Sequence, residues 1–440
     1  MKKQNKGDKE KTSIYDHIEL VNEDNDGHIN INWDEVEKNY SNKSASDINT
    51  HSHHHRHHHS SRHSSSGHSS SGHSSRHSSG EHSSRHSHHH HRHHHSSNSS
   101  DKKKWSTKKK IIVIILIILL SLILSAVSAF FILRYLGKRK LVNNKHISVT
   151  VPKNIDYESN GKIVYYKGHK YQFNDSIATI LFMGIDNRKL ESNATAGNAG
   201  QADALYLFTY DTDNGKIKVL SLNRDTMTDV GRYDAKGKYY DTHQAQLCLA
   251  YAYGDGKHKS AQNQITAVRR LLYNVPINSY YAIDLSAIKI INDDIGGVRV
   301  TPQYTFKEFT KGQPVLLKGD LTEDFVRYRD ISLLDDNLRR MTCQRDYLTS
   351  FSASVVPAIK KDLGLPVKLY NDSSKFTVTD LGVSDLTYIS SQLVSTYDGF
   401  EILKTDGKYV DADKDEFAEF KIDKTKLFET ILSIFYKKIS

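Results

Sequence analysis

The stretch Ile177-Ala178-Thr179-Ile180-Leu181-Phe182-Met183-Gly184-Ile185 carries no charge and a single hydroxyl, and Asp186 follows it directly. An apolar run this short, with polar residues at its carboxyl end, reads as a strand covered on both faces. Two more strand-like runs, Ala204–Tyr210 and Lys216–Leu222, are joined by Asp211-Thr212-Asp213-Asn214-Gly215, whose Asn-Gly pair marks a tight hairpin. Farther on, the spacing predicts helices over Gln244–Tyr253 and Ser260–Tyr273, a strand near Tyr280–Leu285, and another opening at Gly296-Gly297-Val298. Helical periodicity returns over Thr322–Arg329, Leu338–Ile359, Ser384–Leu393 and Asp413–Tyr436. Strands and helices interleaved through residues 175–440 describe one large α/β (α+β) domain, a mixed sheet flanked by helices.

Working toward the N terminus, residues 137–174 read as a juxtamembrane linker with a small hairpin over Lys162–Phe173. Before it, Ile111–Leu133 is a run of 23 residues without a charge. As a helix it would extend roughly 34 Å, enough for a hydrocarbon core of about 30 Å. One transmembrane helix is therefore expected over residues 111–136. The long polar stretch ahead of it argues against a cleaved signal peptide. Six lysines precede the run (Lys102, Lys103, Lys104, Lys108, Lys109, Lys110) and four basic residues follow it (Arg134, Lys138, Arg139, Lys140). The positive-inside bias then leaves the N terminus cytoplasmic and the large domain outside the cell membrane.

The chain has 440 residues and a formal charge of +10, which splits unevenly. Residues 1–50 sum to −4, residues 51–140 to +13 and residues 141–440 to +1. The outer domain is near neutral and the basic front has few aromatics, so nucleic-acid binding is not expected. Twenty of the 26 histidines lie between residues 51 and 95, among Ser, Gly and five arginines. Such a tract, placed at 51–100, has no apolar residues to offset the entropy of ordering; it is expected to be unfolded, with affinity for protons and metals. Residues 1–50 are polar and mildly acidic, with a short segment near Ile29–Val36 as a candidate for interaction. Cys248 and Cys343 are the only cysteines and form no CxxC motif.

Polar residues gather where the apolar strands end. Asp186 and Arg188 follow the first, Asp203 opens the second, and Asn223-Arg224-Asp225-Thr226 follows the third. Adjacent strands would bring Asp186, Asp203, Arg224 and Asp225 to one side of the sheet. Arg327 and Arg329 lie two apart, and Arg340 and Gln344 share a helical face. Guanidinium groups grip phosphate with two parallel hydrogen bonds at any relevant pH, and paired carboxylates suit Mg²⁺ bound against phosphate oxygens. By residue type alone this is a pyrophosphate site or a set of surface ion pairs. No GxxxxGK[ST], HExxH or GxSxG motif is present.

The ordered series Leu181-Phe182-Met183-Gly184-Ile185-Asp186-Asn187-Arg188, Ala202-Asp203-Ala204, Ser221-Leu222-Asn223-Arg224-Asp225-Thr226, Ala250-Tyr251-Ala252-Tyr253-Gly254, Gly296-Gly297-Val298 and Arg327-Tyr328-Arg329 resembles the LytR-CpsA-Psr family over residues 175–440. The resemblance implies a bacterial, Gram-positive type of envelope enzyme. Such enzymes transfer a glycan from a polyprenyl-pyrophosphate carrier to peptidoglycan, form a phosphodiester and release polyprenyl phosphate. It further implies Asp186 and Asp203 as Mg²⁺-associated residues, and Arg188, Arg224, Arg327 and Arg329 as pyrophosphate-binding, with Arg340 and Gln344 in the later arginine element. Asp225 matches the family's Arg-Asp-Thr aspartate, with a salt bridge to Arg224 or a role as proton acceptor as its alternatives. Asn223 stands where the family usually has Pro. Cys343 replaces one arginine of the later element, with Arg339 the competing alignment and Arg345 a substitute.

An apolar groove between helices and sheet would take the prenyl tail, with Leu247, Leu249, Leu271, Leu272, Phe351 and Val355 as candidate lining or ordinary core. Charge neutralisation and positioning would then carry the transfer, with Asp225, Arg224 and Arg327 as the catalytic set. Two rival readings are a phosphatase acting on the same carrier and a non-catalytic envelope sensor whose His tract responds to metal or pH.

Overall fold

The computed structural model describes residues 106–144, 147–186, 197–234, 236–329, 336–410 and 418–440. The polar segment 1–50, the His/Ser tract 51–100 and Arg188 lie outside the described residues. Residues from Leu119 to the C terminus belong to one compact unit, whose architecture follows; the described residues before it, 106–118, begin the leading helix.

That helix, α1, runs Thr107–Leu141 without interruption. Its apolar side chains face outward, Leu122 at 62% exposure, a surface that water would not tolerate over this length. It is long and apolar enough to cross a membrane. Burial begins only at its end, with Gly137 and Leu141.

Three short antiparallel strands come next, β1 (Asp156–Glu158), β2 (Ile163–Tyr166) and β3 (His169–Phe173). β4 (Ile177–Ile185), β5 (Ala202–Asp211) and β6 (Ile217–Leu222) then form an antiparallel meander. Its second turn needs Gly215, which sits at φ 75°, where a Cβ would lie 1.4 Å from the Thr396 carbonyl oxygen. A ribbon of β7 (Met227–Tyr233) and β8 (Tyr239–Gln246) leads through a 3-10 turn, Leu247–Tyr253, to α2 (His258–Leu271). β9 (Ser279–Ile283) enters α3 (Leu285–Asp294), and the pair β10 (Val298–Val300) and β11 (Val315–Leu317) precedes α4 (Asp320–Arg327). The chain continues through α5 (Asp336–Lys361), α6 (Leu365–Ser373), β12 (Thr377–Thr379), α7 (Val383–Ser395) and β13 (Phe400–Lys404). It closes with β14 (Gly407–Val410), β15 (Glu419–Ile422), α8 (Lys424–Phe435) and β16 (Tyr436–Lys438).

The central sheet has the order β12-β9-β4-β5-β6-β13. β9 joins β4 and β13 joins β6 in parallel, while the other pairs are antiparallel, so the sheet is mixed and the domain α/β. Leu181, Met183 and Ile185 on β4 are fully buried in the main core, with Ile265 and Val268 from α2 and Phe428 and Ile431 from α8. The alternate residues Ile180, Phe182 and Gly184 face a large cavity roofed by α3, α5, α6 and α7.

Three expectations change. Gln244–Gln246 completes β8, and only Leu247–Tyr253 is helical, as a 3-10 turn with every residue buried. Its apolar spacing reflects burial on all sides, not one helical face. The helix expected over Asp413–Tyr436 begins at Lys424, where the Asp423 carboxylate accepts from the Lys426 amide at 3.0 Å; Glu419–Ile422 is a strand. Within the stretch read as a linker, β3 pairs with β16 from the far end of the chain, and Val149, Val151, Val164 and Phe173 join the main core. The hairpin over 162–173 is present as β2 and β3.

Candidate active site

The cavity, about 850 Å³, has two chemically different ends. At the end where β4 and β6 finish and β5 begins, its wall is Asp186, Gln201, Asp203, Arg224, Arg327, Arg329, Arg340 and Gln344. The rest of the wall is mostly aliphatic and aromatic side chains, among them Ile180, Phe182 and Phe208 from the sheet, Ile288 and Ile291 from α3, Phe351 and Val355 from α5, and Leu386 and Ile389 from α7.

Antiparallel pairing of β4 with β5, and of β5 with β6, explains why residues separated in sequence share the polar end. Asp203 is the hub. One of its carboxylate oxygens takes a hydrogen bond from Arg224 Nη1, and the other accepts from Arg340 Nη1 at 2.8 Å. Arg224 Nη2 also donates to Gln201 Oε1 at 2.7 Å, and its Nε to Asp225 Oδ1 at 3.2 Å. Arg340 Nη2 donates to Asn337 Oδ1 at 2.9 Å, while its buried Nε has no hydrogen-bond partner among the described residues. Burial, helped by Arg224 and Arg329, pulls the Arg340 guanidinium down to about 10, so it remains charged at neutral pH. Arg327 and Arg329 are less buried; Glu323 steers the first at 2.7 Å and Asp336 the second at 2.7 Å. Asp186 is exposed, and its Oδ1 accepts from the Gln201 amide at 2.7 Å. Gln344, one turn beyond Arg340 on α5, donates to the Val326 carbonyl and accepts from the Tyr206 hydroxyl, both at 3.1 Å.

Seven of the expected residues therefore meet around one cavity end: Asp186, Asp203, Arg224, Arg327, Arg329, Arg340 and Gln344. Asp225 does not line it. Its carboxylate sits behind Arg224, where Arg224 Nε, Gln246 Nε2, Asn337 Nδ2 and the Tyr409 hydroxyl all donate to it, at 3.2, 3.3, 2.9 and 3.1 Å. With its oxygens so engaged, Asp225 is placed to brace Arg224. Cys343 is buried with Val298, Phe325 and Tyr347 in a second apolar cluster that presses its thiol up to about 12, and it is absent from the cavity wall, unlike Arg340 and Gln344 of the same element. Arg345 is exposed beside Asp346 and is absent from the cavity wall, and Arg339 stacks over Tyr304 with its guanidinium carbon 5.2 Å from the ring centroid. Of the six proposed groove residues, Phe351 and Val355 line the cavity; Leu247, Leu249 and Leu272 belong to the main core, with Leu271 packed against it.

Asn223 gives its departure from proline a local reason. Its Oδ1 accepts from the Asp225 amide at 3.0 Å and from Asn337 Nδ2 at 3.1 Å, and its Nδ2 donates to the Tyr409 oxygen at 2.9 Å. The side chain closes an Asx turn that proline would set by ring geometry. Sequence reasoning missed Asn337, Tyr409, Gln201 and Asp284. Asp284 follows β9, caps α3 by accepting from the Ser286 and Ala287 amides, and turns one wall of the cavity. Burial raises its carboxyl above the ordinary range. Its sequence signal is a lone Asp ahead of a helical run, masked by the apolar residues on either side that continue the strand pattern to Leu285.

The model of the LytR_cpsA_psr family matches residues 140–432. Among curated proteins, the polyisoprenyl-teichoic acid--peptidoglycan teichoic acid transferase TagU of Bacillus cereus is 33% identical over 155 residues, covering 34% of this chain and 44% of that protein. The similarly named transferase TagV of Bacillus subtilis is 32% identical over 130 residues, covering 30% of this chain and 29% of its own. The match thus spans less than half the length of either relative. A solved structure from Streptococcus agalactiae shares the fold, with a TM-score of 0.50 and 17% identity, over 59% of this chain and 86% of that one. With the motifs in order along the chain, their side chains gathered at one cavity end, and a family match over most of the sequence, the chain belongs to the LytR_cpsA_psr family.

Proposed function

We propose that this protein is a membrane-anchored phosphotransferase that moves a glycan from a polyprenyl-pyrophosphate carrier onto a peptidoglycan hydroxyl, with Mg²⁺ assisting. The observation that carries the reading is the two-ended cavity: arginines and carboxylates at one end, a long apolar bore behind them. A diphosphate joined to a polyprenyl chain has that same division of chemistry, and the names of the teichoic acid transferases similar to this chain agree with it. In this reading α1 spans the membrane with its N terminus in the cytoplasm, and the domain acts outside.

The acceptor hydroxyl attacks the phosphorus attached to the glycan. A new P–O bond forms, the diphosphate bridge breaks, and polyprenyl phosphate departs, the hydroxyl proton leaving with it. Arg224 and Arg340, fixed on either side of Asp203, offer charge at a set spacing to the diphosphate, joined by Arg327 at the end of α4 and Arg329 two residues on. Asp225 keeps Arg224 in place. Asp186 and Asp203 are the residues that would hold Mg²⁺. Two carboxylates without His or Cys fit a hard ion that keeps waters and phosphate oxygens as its remaining ligands, and no cluster of three or more His, Cys, Asp or Glu occurs among the described residues. When bound, the ion adds positive charge against the phosphates.

The test supplies full-length protein in lipid vesicles with a polyprenyl-pyrophosphate glycan and peptidoglycan oligomers, and reads the product by mass spectrometry. A phosphodiester-linked conjugate that disappears in Arg224→Ala supports transfer. Donor hydrolysis at one rate with and without acceptor would replace this reading with a phosphatase.

A further inference from the structure

We infer that the last two turns of α1 are a rigid mount that holds the apolar end of the cavity against the bilayer, so that the prenyl chain passes from lipid into the cavity without crossing water. The inference rests on the reading above and adds the route of the substrate and the residues that set it.

The apolar run of α1 stops at Leu133, and docking begins with the next residue. Arg134 donates through Nε to Ser391 Oγ at 2.9 Å and through Nη2 to Gln392 Oε1 at 2.7 Å, both on α7. Lys140 donates to the buried Asp385 carboxylate at 2.8 Å and to the Asp380 carbonyl. Between them Gly137 brings the two backbones into contact: a Cβ there would lie 2.2 Å from the Ser384 carbonyl oxygen and 2.8 Å from Tyr388 Cβ. Arg134, Gly137 and Leu141 occupy one face of α1, at spacings of three and four residues. A freely swivelling tether has no use for a glycine at a contact this close; a fixed crossing of two helices does.

The contact is also part of the cavity wall. Leu141 is fully buried in a cluster with Ala178, Leu381 and Tyr388, and those three residues line the cavity. Ala178 lies near the start of β4 and Asp186 just past its end. Eight residues of strand at about 3.3 Å each place the arginine cluster roughly 26 Å from the docked helix. Thr209, Tyr210 and Ile217, at the close of β5 and the opening of β6, line the same apolar end, with Leu393 and Phe400. The bore therefore runs from the point where α1 leaves its apolar run to the phosphate grip, with the charged end farthest from the membrane.

Gly137→Leu places a helix-favouring residue in α1 while prying it from α7, and Arg134→Ala combined with Lys140→Ala loosens the same contact without added bulk. Full-length proteins in vesicles are given either a long-chain polyprenyl-pyrophosphate glycan embedded in the bilayer or a short-chain, water-soluble analogue. Transfer from the embedded donor should fall at least tenfold in both variants, with the soluble donor used within twofold of the parent. Equal loss on both donors, or no loss on either, overturns the mount. Loss of both donors by the parent protein itself would instead reject the proposed function. A readout that needs no turnover separates the two cases: Cys248 and Cys343 are buried, so Leu393→Cys takes a fluorophore selectively. Quenching of that probe by quencher-bearing lipids should be strong in the parent background and reduced in Gly137→Leu; equal quenching in both overturns the mount whatever the activity.

Discussion

Arg340 on α5 and Asp203 on β5 are joined Nη1 to Oδ2 at 2.8 Å across 137 residues of sequence, and the opposite oxygen of the same carboxylate holds Arg224. One aspartate thus fixes the separation of two guanidinium groups that would otherwise repel. Arg340→Lys keeps a positive charge but cannot reach Asp203 and Asn337 together. Charge-assisted hydrogen bonds contribute about 1.5–3 kcal/mol, so affinity for inorganic pyrophosphate should fall roughly 10- to 100-fold. Isothermal titration of the variant against the parent checks this, and parental affinity would remove Arg340 from the phosphate grip.

How far the sequence disclosed this arrangement depends on what each residue faces. The β4 run was legible because all its side chains but the Thr179 hydroxyl are apolar, and Asp186, Asp203 and Arg224 followed from strand ends. What could not be read was which face of β4 meets the core and which meets the cavity, since an apolar cavity wall and a packed core select the same residues. That is why Leu247 and Leu272, deep in the core, stood beside Phe351 and Val355, which line the bore. The short strands β13 to β16 and the helix α6 lacked sufficient period to declare themselves. Tyr409 meets Asn223, Asp225 and Asn337 only across the fold, and Asn337, although Arg340 three residues on donates to it, reaches Asn223 and Asp225 the same way, so no local spacing marks their place behind Arg224.

The two faces of β4 separate in a paired substitution. Leu181→Ala removes a fully buried core side chain and should cost about 2–5 kcal/mol, read from urea unfolding. Ile180→Ala, one residue away but on the cavity wall, should cost less than half of that and instead weaken binding of a long-chain polyprenyl phosphate. Similar losses of stability in both would mean the cavity is a packed core.

Asp284 gives a pH dependence whose sign is fixed by burial. Desolvation raises its carboxyl, opposed by the Ser286 and Ala287 amides, so the charged form is disfavoured in the folded domain. This acid's contribution is fully present below the ordinary carboxylate range and is lost as pH rises through the elevated folded value. Asp284→Asn keeps a capping oxygen and removes the charge. Its stability relative to the parent should increase between about pH 4 and pH 7, measured by denaturant unfolding at both; a constant difference would show that the carboxyl pays no penalty when ionised.

The brace behind Arg224 makes the last expectation. The Tyr409 hydroxyl touches Asp225 Oδ2 at 3.1 Å and Asn223 Nδ2 at 2.9 Å, and accepts from Asn337 Nδ2 at 2.8 Å, while burial raises its own proton affinity. Tyr409→Phe keeps the ring packed on Phe420 but strands these buried partners, at about 1–3 kcal/mol. None of the four residues is on the cavity wall, so the damage to transfer should come through the freedom that Arg224 gains. A positioning effect of this kind lowers kcat more than it raises KM, because the substrate still finds Arg327, Arg329 and Arg340 while the geometry of attack loosens. If Tyr409→Phe lost stability but left kcat and KM at the parental values, the brace would be structural only, and Arg224 would be held adequately by Asp203 and Gln201 alone.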